Sequence, residues 1–179
     1  MFNLVNRAFR VIIRKLIYFK FKVLYLNVKI AKNTHIHYTC CIHGNVKIGK
    51  NCIIHKGVIL DAQDGYIDIG DFVSINPYSI AYGSGGIVIK DHTRIAAHTM
   101  IISETHIVKM GELIRLSGTI KQPVEIGKNV WIGAGVKILG NTKIGDNVVV
   151  GSNSLVNKEL MKNAVYVGSP VKLLKKITK

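Results

Sequence analysis

His106 closes the run IISETH, and residues 107–125 after it lose the pattern that governs their surroundings. A loop this long inside a regular chain is unusual and often functional. An imidazole fixed at the mouth of such a loop suits general acid–base chemistry near neutral pH. Taken alone, a single histidine is more often an ordinary surface residue. His37, His55 and Asn76 form a second set, spaced so that they fall at one place in successive structural repeats. On that spacing His55 becomes a candidate to line an acceptor groove beside Asn76. Cys40, Cys41 and Cys52 include no CxxC and are too few for a disulfide framework. They read as small core residues in a reducing compartment.

The elements that must position these groups are set by a six-residue period. Residues 126–155 divide into IGKNVW IGAGVK ILGNTK IGDNVV VGSNSL, and the same frame runs back to Ile30. Aliphatic residues lead at Ile30, Ile36, Ile42, Ile48, Ile54 and Leu60. After a three-residue slip they resume at Ile69, Ile75 and Ala81, and after a two-residue slip at Ile89, Ile95 and Ile101. Beyond the long interruption come Ile126, Ile132, Ile138, Ile144, Val150 and Val156. Four residues into most units stands a small or β-branched residue, such as Cys52, Val73, Thr93, Thr99, Thr105 or Val136. Each unit is one short strand and one corner, because strand side chains alternate and a small residue fits beside a large one at a bend. Gly and Asn accept the left-handed backbone of the corner. Three strands close a triangle.

The expected fold is therefore an all-β solenoid, a left-handed parallel β-helix of about six three-strand coils. Residues 30–161 form it, with an active-site loop at 107–125. Residues 1–29 are expected to supply a basic amphipathic helix and an extended segment, since Phe2, Val5, Phe9, Ile12, Ile13, Leu16 and Phe19 keep helical spacing. At 162–179, Pro170 followed by VKLLKKI suggests a capping helix.

The net charge of +15 favours an anionic partner: a phosphorylated cofactor, a membrane surface or nucleic acid. No nucleic-acid reading motif accompanies it, so nucleic acid is not expected. Charges interrupt the apolar N-terminus well short of the ~20 residues a membrane span needs. No signal-peptide cleavage pattern follows, which makes the cytoplasm the expected location. A basic amphipathic helix could still rest peripherally on a membrane, although packing on the β-helix or a partner subunit is the more ordinary use.

IISETH, the loop, VEIGKNVWIGAGVKILGNTKIGDNVVVGSNSLVNKEL and YVGSPVKLLKKI together resemble the hexapeptide-repeat acyltransferases over about residues 66–177. The likeness is greatest to the maltose/galactoside O-acetyltransferases and the O-acetyltransferases of bacterial surface polysaccharides. It implies that His106 is the catalytic base, taking the proton of an acceptor that attacks acetyl-CoA directly, without an acyl-enzyme. It implies that Asn76 contacts acceptor or cofactor and that Trp131 lies along the pantetheine arm. Ala134 and Ser152 would offer backbone groups to that arm. Asn157, Lys158 and Lys175 would meet the anionic nucleotide end of CoA, although ordinary solvated charge explains the two lysines equally well. It also implies a homotrimer with interfacial sites, a sugar or polysaccharide acceptor and no metal. The family's proline after the last coil is missing from KELM, and its sugar-binding N-terminal domain is not recognisable in residues 1–29.

Three alternatives stand beside O-acetylation in surface polysaccharide assembly. An N-acetyltransferase of a nucleotide-linked amino sugar shares fold and donor. A γ-carbonic-anhydrase-like zinc protein needs three converging imidazoles, whereas His92 and His98, one unit apart, fall on different faces. A non-catalytic scaffold leaves the pairing of Trp131 with the His106 loop unexplained.

Overall fold

The computed structural model describes residues 27–178; the expected N-terminal helix lies outside them. Three faces wind into a left-handed β-solenoid. The first coil is β1 (Val28–Ile30), β2 (His35–Ile36) and β3 (Cys41–His43). The second is β4 (Val46–Ile48), β5 (Ile53–Ile54) and β6 (Ile59–Asp61). The third is β7 (Ile67–Ile69), β8 (Ser74–Ile75) and β9 (Ile80–Tyr82). The fourth is β10 (Ile87–Ile89), β11 (Arg94–Ile95) and β12 (Met100–Ile102). The chain then makes a hairpin, β13 (Glu104–His106) and β14 (Thr119–Lys121), and re-enters the solenoid. The fifth coil is β15 (Val124–Ile126), β16 (Trp131–Ile132) and β17 (Lys137–Ile138), and the sixth is β18 (Thr142–Ile144), β19 (Val149–Val150) and β20 (Leu155–Val156). An incomplete seventh coil adds a bridge at Leu160 and β21 (Ala164–Val167).

Strands of successive coils pair in parallel, with the leading aliphatics in register: Ile48 on Ile69 on Ile89 on Ile126 on Ile144. These residues and the small corner residues fill one continuous core. Thr105 leaves the pattern, since it is exposed on the hairpin.

The position three residues past the inward aliphatic of the first face has positive φ in every coil. At the first corner, between first and second faces, this column is Asn33, Asn51, Phe72, His92, Asn129, Asn147 and Asn163. Asn129 Nδ2 donates to Asn147 Oδ1 and Asn147 Nδ2 to Asn163 Oδ1, each at 2.8 Å. A short polar side chain tolerates this backbone and also closes a ladder between coils.

Three lengthened turns fall at the third corner, where the chain passes from third to first face, and so does one shortened turn, four residues from Val156 to Leu160. Nine residues separate Leu60 from Ile69, eight separate Ala81 from Ile89, and 25 separate Ile101 from Ile126. The lengthened turns stack closely. A Cβ on Gly85 would sit 2.0 Å from the Ser103 carbonyl oxygen, so only glycine fits there.

The expected C-terminal capping helix is corrected to a strand. β22 (Lys172–Lys176) runs antiparallel to β21, with Val165 opposite Lys175. The free edge of β21 offers unpaired backbone groups that a strand can satisfy and a helix cannot. Val171, fully buried, fixes the turn between them.

Candidate active site

The hairpin decides where His106 stands. The chain leaves the fourth coil at Ser103, three residues before the histidine. Ser103 is buried, its hydroxyl donates to the Tyr82 carbonyl oxygen at 2.8 Å, and Gly85 N–H donates to that hydroxyl. Gln122 N–H returns the chain by donating to the Ser103 carbonyl. Between these ends Glu104, Thr105 and His106 face Lys121, Ile120 and Thr119. His106 is thus exposed on a two-stranded arm, and its ring has no hydrogen-bond or ionic partner among the described residues. A base without an intramolecular partner is available to a substrate proton.

A contact that the repeat pattern does not reveal anchors this arm. Lys121 Nζ binds Asp64 Oδ2 at 2.6 Å, and Ser84 Oγ donates to Asp64 Oδ1 at 3.1 Å. Lys121 first, and Ser84 second, hold the Asp64 carboxyl below its ordinary pKa. Asp64 lies in the first lengthened turn and Ser84 in the second, so all three insertions at the third corner are joined. The slips at residues 66–68 and 87–88 were the available sequence signal. Past the anchor, the arm's tip is apolar and bare, with Val108, Met110, Leu113 and Leu116 all exposed.

Trp131 lies elsewhere, on the outer side of the second face, in register with Arg94, Val149 and, two strands further, Val165 and Lys175. More than half exposed, it lines an open groove of about 500 Å³ with Asn129, Asn147, Val149, Asn163, Ile177 and Thr178. The Asn ladder forms one wall of that groove. Lys175 is exposed at the end of the same row.

The second corner, between second and third faces, holds another group. His37, His55 and Asn76 occupy one column, each donating its backbone N–H to the inward residue of the next coil, Ile54, Ile75 and Ile95 respectively. Gly133 and Gly151 continue this column, with Ala134 and Ser152 beside them exposed at the turns. Asn76 is half-buried and its Nδ2 donates to the Ile95 carbonyl at 2.9 Å. Asn157 and Lys158 are exposed after β20, at the third corner.

One chain therefore gathers His55, Asn76, Ala134 and Ser152 along the second corner, and places Trp131 and Lys175 on the adjoining face. It carries His106, Asn157 and Lys158 on the third corner, across the width of the prism. Among the described residues no group of three His, Cys, Asp or Glu could hold a metal ion. His92 and His98 stand at different corners, each beside an aromatic partner, Phe72 and Tyr78 respectively. No described helix is long and apolar enough to cross a membrane. Burial pushes the Cys40 thiol up to about 11 and raises Cys52 likewise, which suits core residues rather than nucleophiles, whereas Cys41, also expected in the core, is exposed on β3.

Residues 123–158 match the family described as bacterial transferase hexapeptide (six repeats). The dTDP-4-amino-4,6-dideoxy-D-glucose acyltransferase of Escherichia coli is 35% identical over 77 residues, 43% of this chain and 38% of that protein. The chain thus aligns with well under half the length of this curated relative. AntD, an N-acyltransferase from Bacillus cereus solved with dTDP and 3-hydroxybutyryl-CoA, is 28% identical with a TM-score of 0.77 over 88% of this chain and 86% of its own. A maltose O-acetyltransferase from Clostridium difficile 630 is also 28% identical, with a TM-score of 0.58 over 85% of this chain and 67% of its own. The repeats matched at residues 123–158, which include VWIGAG, and the likeness of fold along nearly the whole described chain agree with the resemblance read from the sequence: the chain carries hexapeptide repeats and is similar to acyltransferases built on them.

Proposed function

We propose that the protein transfers an acyl group, acetyl or a related short chain, from acyl-CoA to the amino group of a nucleotide-linked amino sugar. The observation that carries this reading is the likeness to AntD, whose structures hold dTDP-4-amino-4,6-dideoxyglucose and coenzyme A. The curated relative acts on the same class of sugar by its name. The O-acetylation of a polysaccharide hydroxyl read from the sequence rests on the maltose O-acetyltransferase likeness, whose TM-score is lower.

In this reading the amine nitrogen attacks the thioester carbonyl, a C–N bond forms and the C–S bond breaks. His106 accepts the proton released from nitrogen and passes it to the departing thiolate. The pantetheine arm lies between the Trp131 ring and the exposed backbone at Ala134 and Ser152. Asn157, Lys158 and Lys175 attract the phosphates at its far end. Asn76 and His55 line the acceptor side.

These groups occupy opposite edges of one prism, so a complete site needs a neighbouring copy. A trimer in which the apolar arm bearing His106 reaches the second corner of the next subunit meets that need. It also covers Val108, Met110, Leu113 and Leu116. A cytoplasmic location follows from the donor and acceptor. The domain limits 1–29, 30–161 and 162–179 belong to this reading.

The test is thiol release from acetyl-CoA against a panel of dTDP- and UDP-linked amino sugars, the same sugars without nucleotide, and maltose. Turnover confined to nucleotide-linked amines supports the proposal. Turnover with maltose alone would replace it with O-acetylation. Cross-linking or light scattering at a monomeric mass would remove the shared site.

A further inference from the structure

The second corner changes character partway along the solenoid. In the first four coils its turns read His37-Tyr38-Thr39, His55-Lys56-Gly57, Asn76-Pro77-Tyr78 and Ala96-Ala97-His98. In the fifth and sixth they read Gly133-Ala134-Gly135 and Gly151-Ser152-Asn153. The lower half is aromatic and basic, whereas the upper half is bare backbone.

The lower half also carries an unusual backbone. Gly57, Tyr78, His98, Gly135 and Asn153 share one position, all with φ between 57° and 69°. Glycine and asparagine suit it, but a ring-bearing residue there is strained, by roughly 1 kcal/mol or more. Tyr78 nevertheless adopts φ 60° and His98 φ 59°. Their rings stack with centroids 5.5 Å apart and planes 21° apart. The Tyr78 ring lies over Gly57, where a Cβ would meet it at 2.5 Å. Even so, Tyr78 keeps about half of its surface exposed, and Tyr38 further down is 63% exposed and stacked on His37. Lys56 Nζ stands 5.5 Å from the Tyr78 ring centre, and no carboxylate pairs with it among the described residues. Strained, exposed rings beside an unpaired cation do not serve the core.

We infer that this aromatic and basic half of the second corner binds the nucleoside diphosphate of the acceptor. The base stacks on the exposed ring of Tyr78, and Lys56, 5.5 Å from that ring, meets the diphosphate. Every base has a π-face, so a tyrosine platform suits it, and an ammonium group suits phosphate as a point charge. The arrangement also orders the two substrates. With the donor arm along the glycine-rich coils and the nucleotide along the aromatic ones, the sugar meets the thioester at the step between them, beside Asn76. This inference rests on the proposed acceptor class and names the residues that recognise its nucleotide.

Titration calorimetry with dTDP, UDP and ADP tests it without requiring turnover. Tyr78→Asn is the decisive variant, because Asn153 already occupies the equivalent position in the sixth coil and the fold is kept. The wild type is expected to bind at least one of these diphosphates. Tyr78→Asn is expected to weaken that binding about ten-fold or more, the range of one base–aromatic stack. Tyr78→Phe restores it, and Lys56→Gln weakens it and flattens its salt dependence. The KM for acyl-CoA stays unchanged in all three. Absence of binding by the wild type, or equal binding by Tyr78→Asn, overturns the inference. Diphosphate binding that depends on Tyr78, with no acylation of any nucleotide-linked amino sugar, leaves this site standing and overturns the proposed reaction.

Discussion

The first and third corners of the prism turn the chain through the same angle, yet one is uniform and the other holds every irregularity. At the first corner the spacing never departs from six between the inward residues of first and second faces, from Ile30–Ile36 to Leu160–Tyr166. Its upper part is closed by the Asn129–Asn147–Asn163 ladder. At the third corner three turns lengthen, and they join one another through Asp64, Ser84, Ser103 and Lys121. A corner can lengthen without disturbing either adjoining face, because strand register is set on the faces. A corner tied by a side-chain ladder cannot lengthen without breaking it. Chemistry is therefore expected to grow from the untied corner.

The largest test of that contrast pairs one substitution from each corner. His106→Gln is expected to lower kcat by about a hundred-fold or more, the contribution of a positioned general base. Its melting temperature stays unchanged because the side chain is exposed and unpartnered. Asn147→Ala does the reverse. It forces a methyl-bearing residue into φ 57° and removes two side-chain hydrogen bonds, a loss of about 1–2 kcal/mol for the backbone alone. Its kcat remains that of the wild type. Thermal melting and steady-state kinetics on both variants check the pair, and a stability loss in His106→Gln would break the contrast.

A smaller effect is expected from the anchor of the arm. Asp64→Asn removes the ion pair with Lys121 and frees the hairpin to swing, which should lower kcat about ten-fold through misplacement of His106. KM for acyl-CoA is unaffected, and Asp64→Glu recovers part of the rate. The pair also fixes a pH dependence. A carboxylate whose pKa is lowered in the folded state contributes fully above its unfolded value near 4, and loses that contribution as pH falls through the folded value. Attachment of the arm is therefore constant from pH 5 upward and fails only in stronger acid. A kcat loss on neutral-pH titration that disappears in Asp64→Asn would contradict this.

The contrast between corners also explains what could be read from the chain beforehand. Faces are periodic, so Ile48, Ile69 and Ile89 announced strands, coils and core, and the six-coil estimate came within a partial turn of the observed solenoid. The capping helix expected after Pro170 is a strand instead, because VKLLKKI also satisfies helical spacing. Its true partner, the free edge of β21, is not a property of that segment alone. The histidine arm was legible only as a loss of period. Its hairpin register and the Asp64 clamp depend on side chains 57 residues apart that no repeat relates. Tyr78 and His98 were hidden for another reason. The pattern assigns their position to Gly or Asn, so their identity reads as noise until the φ angles show what they violate.

The last and smallest effect lies inside the prism, where two threonines serve the two corners differently. Thr93, at the first corner, is fully buried, donates to the Gly127 carbonyl at 2.9 Å and accepts from Val130 N–H at 3.3 Å. Its hydroxyl closes the turn between the fourth and fifth coils. Thr142, just past the third corner, is equally inward, but its Oγ1 has no hydrogen-bond partner among the described residues. The same slot in earlier coils holds Val46, Ile67, Ile87 and Val124. Thr142→Val replaces a buried, unsatisfied hydroxyl by a methyl of the same shape, and is expected to stabilise the protein by about 1 kcal/mol. Thr93→Val keeps the shape too, yet strands the Val130 amide and the Gly127 carbonyl, and is expected to destabilise by about 1–3 kcal/mol. Denaturant melts of the two variants share one chemistry and differ only in the corner they touch. Equal shifts would show that hydroxyl burial, rather than the closing of the first corner, governs both.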